Sequence, residues 1–129
     1  MRGSHALDTN VVIALLNDEP EVVRKWQLAQ AVLLPAPVNA ELLYGALRSG
    51  RPEENVRRVQ GLLQHMELIV CDRAVCERHA QVRSSLAAMG RPIPENDVWV
   101  AACAQAAGAT LVTRDQHFTP VTDLQLAEW

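Results

Sequence analysis

The chain has 129 residues with a formal net charge of −3 at pH 7, and 49% of its residues are hydrophobic. This length suits one packed domain over residues 1–129 and leaves no room for a second. The apolar runs are much shorter than the roughly 20 residues that a membrane span requires, so we expect no membrane association. A weakly negative chain has no general basic surface for nucleic acid, and any such binding must come from a local site.

The N-terminus and the cysteines indicate the cellular location of the protein. Residues 1–4, together with His5, resemble the remnant of an expression tag and are given no functional role, and no secretory signal follows them. The cysteines, Cys71, Cys76 and Cys103, are odd in number and lack C-x-x-C spacing. This pattern argues against a disulfide framework and against a zinc site. We therefore expect a reducing, cytoplasmic location.

The first half of the chain alternates short β-branched or leucine-rich runs with longer helical periodicities, which is typical of an α/β domain. In chain order it predicts a strand over 5–8, helices over 9–17 and 20–30, a strand over 32–34, a helix after residue 39 and a helix over 52–65. Asn39 is a favourable N-cap, which would place Glu41 in the first turn of a helix that Gly50 ends.

The second half continues the same alternation. It predicts a strand over 68–70, a long helix from 72 or 73 to 89, a loop over 91–94, a helix from 96 to 107, a strand over 110–113, a loop over 114–122 and a short strand over 124–127. Asn96 is the predicted N-cap of the second of these helices, and Gly108 ends it. The order of elements predicts a central, mainly parallel sheet of about four to five strands flanked by helices, an α/β/α sandwich.

Four acidic residues occupy positions where a parallel α/β sheet places its ligands. Asp8 and Asp115 follow predicted strands, whereas Glu41 and Asp97 fall in the first turns of predicted helices. The ligand crevice of such a sheet lies beyond the carboxyl ends of its strands, so these groups can converge there. Clustered carboxylates repel unless a divalent cation neutralises them, and oxygen ligands favour Mg²⁺ or Mn²⁺ over Zn²⁺. Such ions promote attack of water on phosphates, so the pattern indicates phosphodiester hydrolysis.

Each carboxylate, taken alone, also suits helix capping or the helix macrodipole. Asp8 lies between Leu7 and the apolar run at 11–13, and a carboxylate buried there needs a partner or a metal ion. The histidines share no ligand spacing and are assigned surface or capping roles: His65, His79 and His117. A basic stretch could follow an RNA backbone, although a solvated helix face is the default for it: Arg48, Arg51, Arg57 and Arg58.

Four short motifs span nearly the whole chain in order. They are LDTNV at 7–11, NAEL at 39–42 followed by Gly45, NDVWVAA at 96–102, and LVTRD at 111–115 followed by Phe118. Together with the ending at 126–129, they resemble the motifs of PIN-domain ribonucleases. The short, single-domain form resembles the VapC toxins of VapBC toxin–antitoxin pairs.

This resemblance implies a mechanism and roles for particular residues. Four carboxylates would hold one or two Mg²⁺ or Mn²⁺ ions and a water that attacks an RNA phosphodiester, leaving a 5′-phosphate and a 3′-hydroxyl: Asp8, Glu41, Asp97 and Asp115. Neighbouring polar residues would orient the carboxylates, with helix or turn capping as the alternative: Thr9, Asn10, Asn96 and Thr113. Arg114 would bind a substrate phosphate or simply lie exposed.

The resemblance also implies partners. The substrate would be RNA, whether tRNA, rRNA or mRNA, and a VapB-type antitoxin would place its C-terminal segment in the active-site groove. A homodimer is expected, and the amphipathic helices at 20–30 and 52–65 are candidate contact faces.

Two other functions compete with a nuclease. An aspartate-nucleophile phosphatase of the haloacid-dehalogenase type would need a second Asp two residues after Asp8, where Asn10 stands, and the only lysine is Lys25. A non-catalytic PIN scaffold that only binds partners is disfavoured, because all four acidic positions are filled.

Overall fold

The computed structural model describes residues 3–129. Within them, five strands and six α-helices follow in the order β1 (Ser4–Leu7), α1 (Thr9–Leu16), α2 (Pro20–Leu28), β2 (Ala31–Pro35), α3 (Ala36–Leu47), α4 (Pro52–Leu63), β3 (Glu67–Ile69), α5 (Arg73–Ala88), α6 (Glu95–Ala106), β4 (Thr110–Val112) and β5 (Leu126–Ala127). A turn of 3₁₀ helix at Gln116–Phe118 lies between the last two strands. No helix of residues 3–129 has the length and apolar character needed to cross a membrane.

The strands form one parallel sheet in the order β3-β2-β1-β4-β5. The predicted α/β class with a parallel sheet is therefore confirmed. The chain first adds strands on one side of β1 and then crosses to the other side, so its direction of winding reverses between β1 and β4. In such sheets, the crevice between the carboxyl ends of the two strands at the reversal is the usual ligand site.

The core is built on β1, β4 and α6. Leu7 and Leu111 are fully buried in the two central strands. Helix α6 is buried on nearly every side, since Val98 and all residues from Val100 to Ala104 are buried. Four of these six buried side chains are alanine or cysteine, and their small size lets α6 pack closely against its neighbours. This packing fixes the N-terminal end of α6, where Asp97 lies.

The N-terminus contributes to the sheet from Ser4 onwards. Residues 1 and 2 of the tag-like segment lie outside the described part of the chain. Ser4, which the sequence analysis assigned to that segment, is 2% exposed and pairs with Ala31 of β2. It is thus a structural residue of β1, because its small side chain fits the buried face of the strand.

Helix α3 begins earlier than predicted. It starts at Ala36 directly after β2, with Pro35 as its N-cap residue, so Asn39 is its fourth residue and Glu41 its sixth. The predictions of an Asn39 cap and of Glu41 in the first turn were therefore wrong. Pro37 lies in the first turn, where a missing backbone N–H costs no helical hydrogen bond, so the proline opens the helix instead of preceding it.

Helix α6 also begins before its predicted cap. Pro94 is the N-cap residue, and Asn96 is the second residue of the helix, so the prediction that Asn96 caps it was wrong. The extended backbone of Pro94 (φ −54°, ψ 143°) leads directly into the helix without a side-chain cap. Asp97 does lie in the first turn, as predicted, where the helix macrodipole favours a negative charge.

Candidate active site

The four predicted carboxylates come together in one groove. Asp8 is the N-cap of α1 just after β1, and Asp115 lies just beyond β4. Asp97 comes from the first turn of α6 and Glu41 from the second turn of α3. All four line a groove of about 780 Å³. The groove opens at the carboxyl ends of β1 and β4, because both strands end at the same edge of the sheet.

Asp8 is the most deeply placed of these carboxylates, with 6% of its surface exposed. Its Oδ1 accepts a hydrogen bond from the Thr9 backbone N–H at 2.9 Å, and its Oδ2 accepts one from the Thr113 hydroxyl at 2.8 Å. Burial raises the pKa of Asp8, and the nearby charges of Glu41 and Asp115 raise it further, whereas the hydrogen bonds from Thr113 and Thr9 lower it. The negative charge of Asp8 is therefore costly unless a cation approaches.

Asp97 and Asp115 face each other with His117 between them. The His117 Nδ1 lies 3.2 Å from Asp97 Oδ2 and 3.1 Å from Asp115 Oδ2. Burial raises the pKa of Asp97, the hydrogen bond with His117 lowers it, and the charges of Asp8 and Asp115 raise it. One ligand atom from each of Asp97, Asp115 and His117 lies within 4.8 Å of the others, a spacing that a single metal ion can span.

The position of His117 follows from the turn that carries it. Asp115 Oδ1 accepts the His117 backbone N–H at 2.9 Å and so caps the 3₁₀ turn. Phe118, the next residue, is fully buried and anchors the turn to the core. The sequence analysis assigned His117 a surface or capping role and missed its contacts with the carboxylates. Its place two residues after Asp115, beside an apolar anchor, was the only available signal.

Glu41 lies on the open side of the groove. It is exposed, and its Oε2 accepts a hydrogen bond from the Thr9 hydroxyl. Thr9 thus contacts two of the carboxylates, through its backbone N–H to Asp8 and through its hydroxyl to Glu41. The first turn of α1 therefore fixes the position of Glu41 relative to Asp8.

Two further polar residues from the predicted set also contact the carboxylates. The Asn10 side-chain amide donates to Asp8 Oδ2 at 3.3 Å, and its oxygen accepts the Arg114 backbone N–H at 3.2 Å. The Thr113 hydroxyl donates to Asp8 and accepts the Asp115 backbone N–H at 3.0 Å. These bonds tie the end of β1 to the end of β4.

Asn96 and Arg114 lie apart from the carboxylates. Asn96 is exposed and is not among the described residues that line the groove. The Arg114 guanidinium donates to both oxygens of Glu19, at 2.8 and 3.3 Å, and to the Trp129 carbonyl at 3.4 Å. This ion pair lowers the pKa of Glu19. A role for Arg114 in binding substrate phosphate stays a prediction, with Glu19 as the competing anion.

The donors in the groove fit a divalent cation. The negative charges of three carboxylates lie close enough to repel one another. The charges of Asp8 and Asp115 each raise the pKa of Asp97, and the charge of Asp115 raises the pKa of Asp8. Oxygen donors predominate, as hard cations such as Mg²⁺ and Mn²⁺ require. The imidazole of His117 adds a nitrogen donor, which a transition-metal ion accepts more readily than Mg²⁺ does.

The parallel sheet and the carboxylate groove together define a PIN domain. The sequence profile of that domain matches residues 6–124, so the chain belongs to the PIN-domain family. It is 30% identical to ribonuclease VapC1 of Haemophilus influenzae strain R2866, over 97% of both chains. It is 32% identical to the tRNA(fMet)-specific endonuclease VapC of Shigella flexneri, over 95% of this chain and 96% of that protein.

Solved structures agree with these sequence relatives. The structure of DNA-bound VapBC from Salmonella typhimurium contains a chain that matches with a TM-score of 0.92 and 27% identity, over 98% of both chains. VapBC-1 from nontypeable Haemophilus influenzae matches with a TM-score of 0.86 and 30% identity, again over 98% of both chains. The chain is thus a VapC-type ribonuclease, which confirms the resemblance and sets the phosphatase alternative aside.

Proposed function

We propose that this ribonuclease hydrolyses RNA at the four groove carboxylates in a reaction that requires a divalent cation, Mg²⁺ or Mn²⁺. The observation that carries the proposal is the convergence of four carboxylates in one groove, with Asp8 almost completely buried. The charges of Glu41 and Asp115 raise the pKa of Asp8, and those of Asp8 and Asp115 raise the pKa of Asp97. A structural role alone would not need such a cluster.

In this proposal, Asp8, Asp97 and Asp115 would hold the metal ion, with His117 as an additional donor. A bound divalent cation would supply positive charge that polarises the phosphate and favours ionisation of the attacking water. Glu41, exposed on the open side of the groove, would orient that water and accept its proton at a carboxylate oxygen. Thr9, Asn10 and Thr113 would hold Asp8 and Glu41 in place through their hydrogen bonds.

The reaction would be an in-line displacement at phosphorus. The water oxygen forms a bond to phosphorus while the bond from phosphorus to the 3′-oxygen breaks, and the departing oxygen takes up a proton. The products are a 3′-hydroxyl and a 5′-phosphate. Transfer RNA is the first substrate to test, since the Shigella flexneri relative is named as tRNA(fMet)-specific, and rRNA and mRNA remain alternatives.

We also propose a protein partner and a cellular setting. The structures of the Salmonella and Haemophilus relatives are of VapBC, which supports a VapB-type antitoxin for this chain. Such an antitoxin would inhibit the enzyme by covering the groove, where the exposed Ile13 and Tyr44 offer apolar contacts beside the carboxylates. A homodimer and a cytoplasmic location belong to the same proposal, and the three free cysteines agree with a reducing compartment.

The proposal is tested with a mixed pool of tRNA and rRNA, incubated with the protein in Mg²⁺, in Mn²⁺ or in excess chelator. Asp97→Asn removes one charge from the cluster with little change in shape. Asp123→Asn is the matched control, because Asp123 is exposed and its left-handed backbone (φ 63°) also accommodates asparagine. The ends of the products are then mapped for 5′-phosphate and 3′-hydroxyl.

We expect metal-dependent cleavage by the wild type and by Asp123→Asn, and a loss of about 100-fold in Asp97→Asn, since a neutral amide lacks the negative charge with which a carboxylate binds the cation. Cleavage that persists in chelator or in Asp97→Asn would show that the carboxylates do not perform the reaction. No cleavage under any condition, with the metal still stabilising the fold, would favour a binding-only scaffold.

A further inference from the structure

We infer that the part of the groove beyond the carboxylates is a binding site for single-stranded RNA, in which Arg58 binds a backbone phosphate and Tyr44 stacks on a base. We call this part the distal arm, and it is lined by Ile13, Leu16, Tyr44, Ser49, Asn55 and Arg58. The inference rests on the proposed function, because it assigns the path of the substrate away from the reacting phosphate.

Arg58 supplies the positive charge that an RNA strand needs in this groove. Of the described residues that line the groove, Arg58 is the only arginine or lysine, whereas four of them are acidic. The protein has a net charge of −3, so it repels an RNA strand unless positive charges in the groove offset this repulsion. Such charges are needed at both ends of the bound strand. The metal site would supply one at one end and Arg58 one at the other.

The guanidinium of Arg58 is already held in position. One of its terminal nitrogens donates to the carbonyl of Leu16, at the C-terminal end of α1. An arginine has five N–H donors in a planar fork, so this bond leaves others to meet a phosphate. A guanidinium fixed before the ligand arrives loses little conformational freedom on binding, which strengthens the contact.

The length of α1 separates Arg58 from the reacting centre by a distance that suits an RNA strand. Asp8 caps the N-terminus of this helix, and Leu16 ends it eight residues later. At 1.5 Å per residue, the two ends lie roughly 12 Å apart. This separation is longer than one nucleotide, so Arg58 would bind a backbone phosphate other than the scissile one.

Tyr44 lines the same groove as Arg58 and the carboxylates. It follows Glu41 by three residues on α3, so the two side chains share a helix face one turn apart. The residue is 59% exposed. The Arg48 guanidinium lies 5.5 Å from the ring centroid and donates to the Tyr44 hydroxyl at 3.3 Å, which restrains the ring. An exposed, restrained aromatic ring beside a nuclease centre is a stacking platform for a base.

Two polar residues that line the distal arm, Ser49 and Asn55, are held by hydrogen bonds. The Asn55 side-chain amide donates to the Ser49 hydroxyl at 2.8 Å, and that hydroxyl donates to the Ala46 carbonyl at 2.6 Å. This pair joins the end of α3 to α4. Polar groups at this point favour a solvated sugar–phosphate backbone over a wholly apolar occupant.

The experiment measures binding of a fluorescein-labelled, eight-nucleotide single-stranded RNA by anisotropy, at several salt concentrations. Asp97→Asn protein is the background, so that cleavage does not interfere. Arg58→Gln removes the charge and keeps an amide that can donate to Leu16, whereas Arg58→Lys keeps the charge. Arg57→Gln is the matched control, because Arg57 is the exposed neighbour on α4 and is not among the described residues lining the groove.

We expect Arg58→Gln to weaken binding about tenfold, the value of one charge-assisted hydrogen bond, and to lower the slope of log K against log salt by about 0.7. Arg58→Lys should retain most of that slope, and Arg57→Gln should match the background. Tyr44→Ala should weaken binding about tenfold without changing the slope, and Tyr44→Phe should bind normally. Thermal unfolding of each variant separates these effects from loss of the fold.

Equal RNA affinity and equal salt slope for Arg58→Gln and Arg57→Gln would overturn the inference. If the Arg58→Gln variant instead kept its RNA affinity and lost affinity for a VapB-type antitoxin, the distal arm would be a protein-binding surface. Cleavage assays in the Asp97-containing protein separate this inference from the proposed function. A raised KM with an unchanged kcat in Arg58→Gln supports the distal arm, whereas absent cleavage by the wild type refutes the proposed function alone.

Discussion

Replacing Thr113 with valine would test how the two central strands hold Asp8. Thr113 is 4% exposed, and its hydroxyl donates to Asp8 Oδ2 at 2.8 Å and accepts the Asp115 backbone N–H at 3.0 Å. Valine has nearly the same shape and can make neither bond. Thr113→Ser keeps the hydroxyl and is the matched control.

The magnitude follows from the charge of the acceptor. A hydrogen bond to a charged group contributes roughly 1.5–3 kcal/mol, so Thr113→Val should lower the free energy of unfolding at pH 7 by about 2 kcal/mol, measured by urea denaturation in chelator. A misplaced ligand typically costs about 10–100-fold in metal affinity or activity, and cleavage in Mg²⁺ should fall by that factor.

The effect of Thr113→Val should also depend on pH, through the pKa of Asp8. The Thr113 hydrogen bond lowers the pKa of Asp8 against the effect of burial, so its loss should raise that pKa further. The acidic limb of the pH–activity profile should therefore move to higher pH, because the ionised carboxylate is the active form. At pH values above the folded-state pKa of Asp8, Thr113→Val should show the whole loss of about 2 kcal/mol in the free energy of unfolding relative to the wild type. This loss should shrink to about 1 kcal/mol as the pH falls through that pKa, since only a neutral hydrogen bond is then lost.

Thr113→Ser should cleave like the wild type and lose only about 1 kcal/mol in the free energy of unfolding, because it deletes a buried methyl group. If Thr113→Val unfolds at the same urea concentration as Thr113→Ser and cleaves as fast, then the hydroxyl does not hold Asp8, and the argument from the end of β4 fails.

Three further predictions concern the same site. In chelator, Asp8→Asn should be more stable than the wild type at pH 7, because burial raises the pKa of Asp8 and its ionised form is therefore unfavourable in the fold. This advantage should disappear as the pH falls through that raised pKa, and thermal unfolding at several pH values would expose the opposite trend if the reasoning is wrong. Phe118→Ala should lower the free energy of unfolding by roughly 3–5 kcal/mol, because the ring is fully buried, with urea denaturation as the measurement and a loss below about 1 kcal/mol as the contrary result. His117→Ala should reduce activity in Mn²⁺ more than activity in Mg²⁺, because an imidazole donor favours the transition-metal ion, and equal losses in metal titrations would remove His117 from the donor set.

The sequence alone predicted the class of the fold and the identity of the four carboxylates. Hydrophobic periodicity is a local property, so the alternation of strands and helices could be followed along the chain without knowing how the elements pack. The strand ends at Asp8 and Asp115, and the first turn that carries Asp97, depend on the same local signals. The four motifs added the family, which composition and charge could not supply.

The helix starts at 36 and 95 were missed because capping preferences are also local and have competitors. Asn39 and Asn96 are favourable caps in isolation, yet the preceding residues were already helical in the fold. Prolines at or just before the first turn opened both helices, since the first backbone N–H groups of a helix need no helical partner. The prediction placed Glu41 one turn too early in its helix, but the residue does line the groove.

Only the tertiary structure decided which side chains meet. The contact of Thr113 with Asp8 joins residues 105 positions apart and exists because β1 and β4 are neighbours in the sheet. His117 reaches Asp97 because Phe118 anchors its turn in the core, and Arg58 faces the groove because α4 packs beside α1. A sequence specifies the period and the ends of its elements locally, whereas the distance between two charges depends on strand order and on the packing of the whole core.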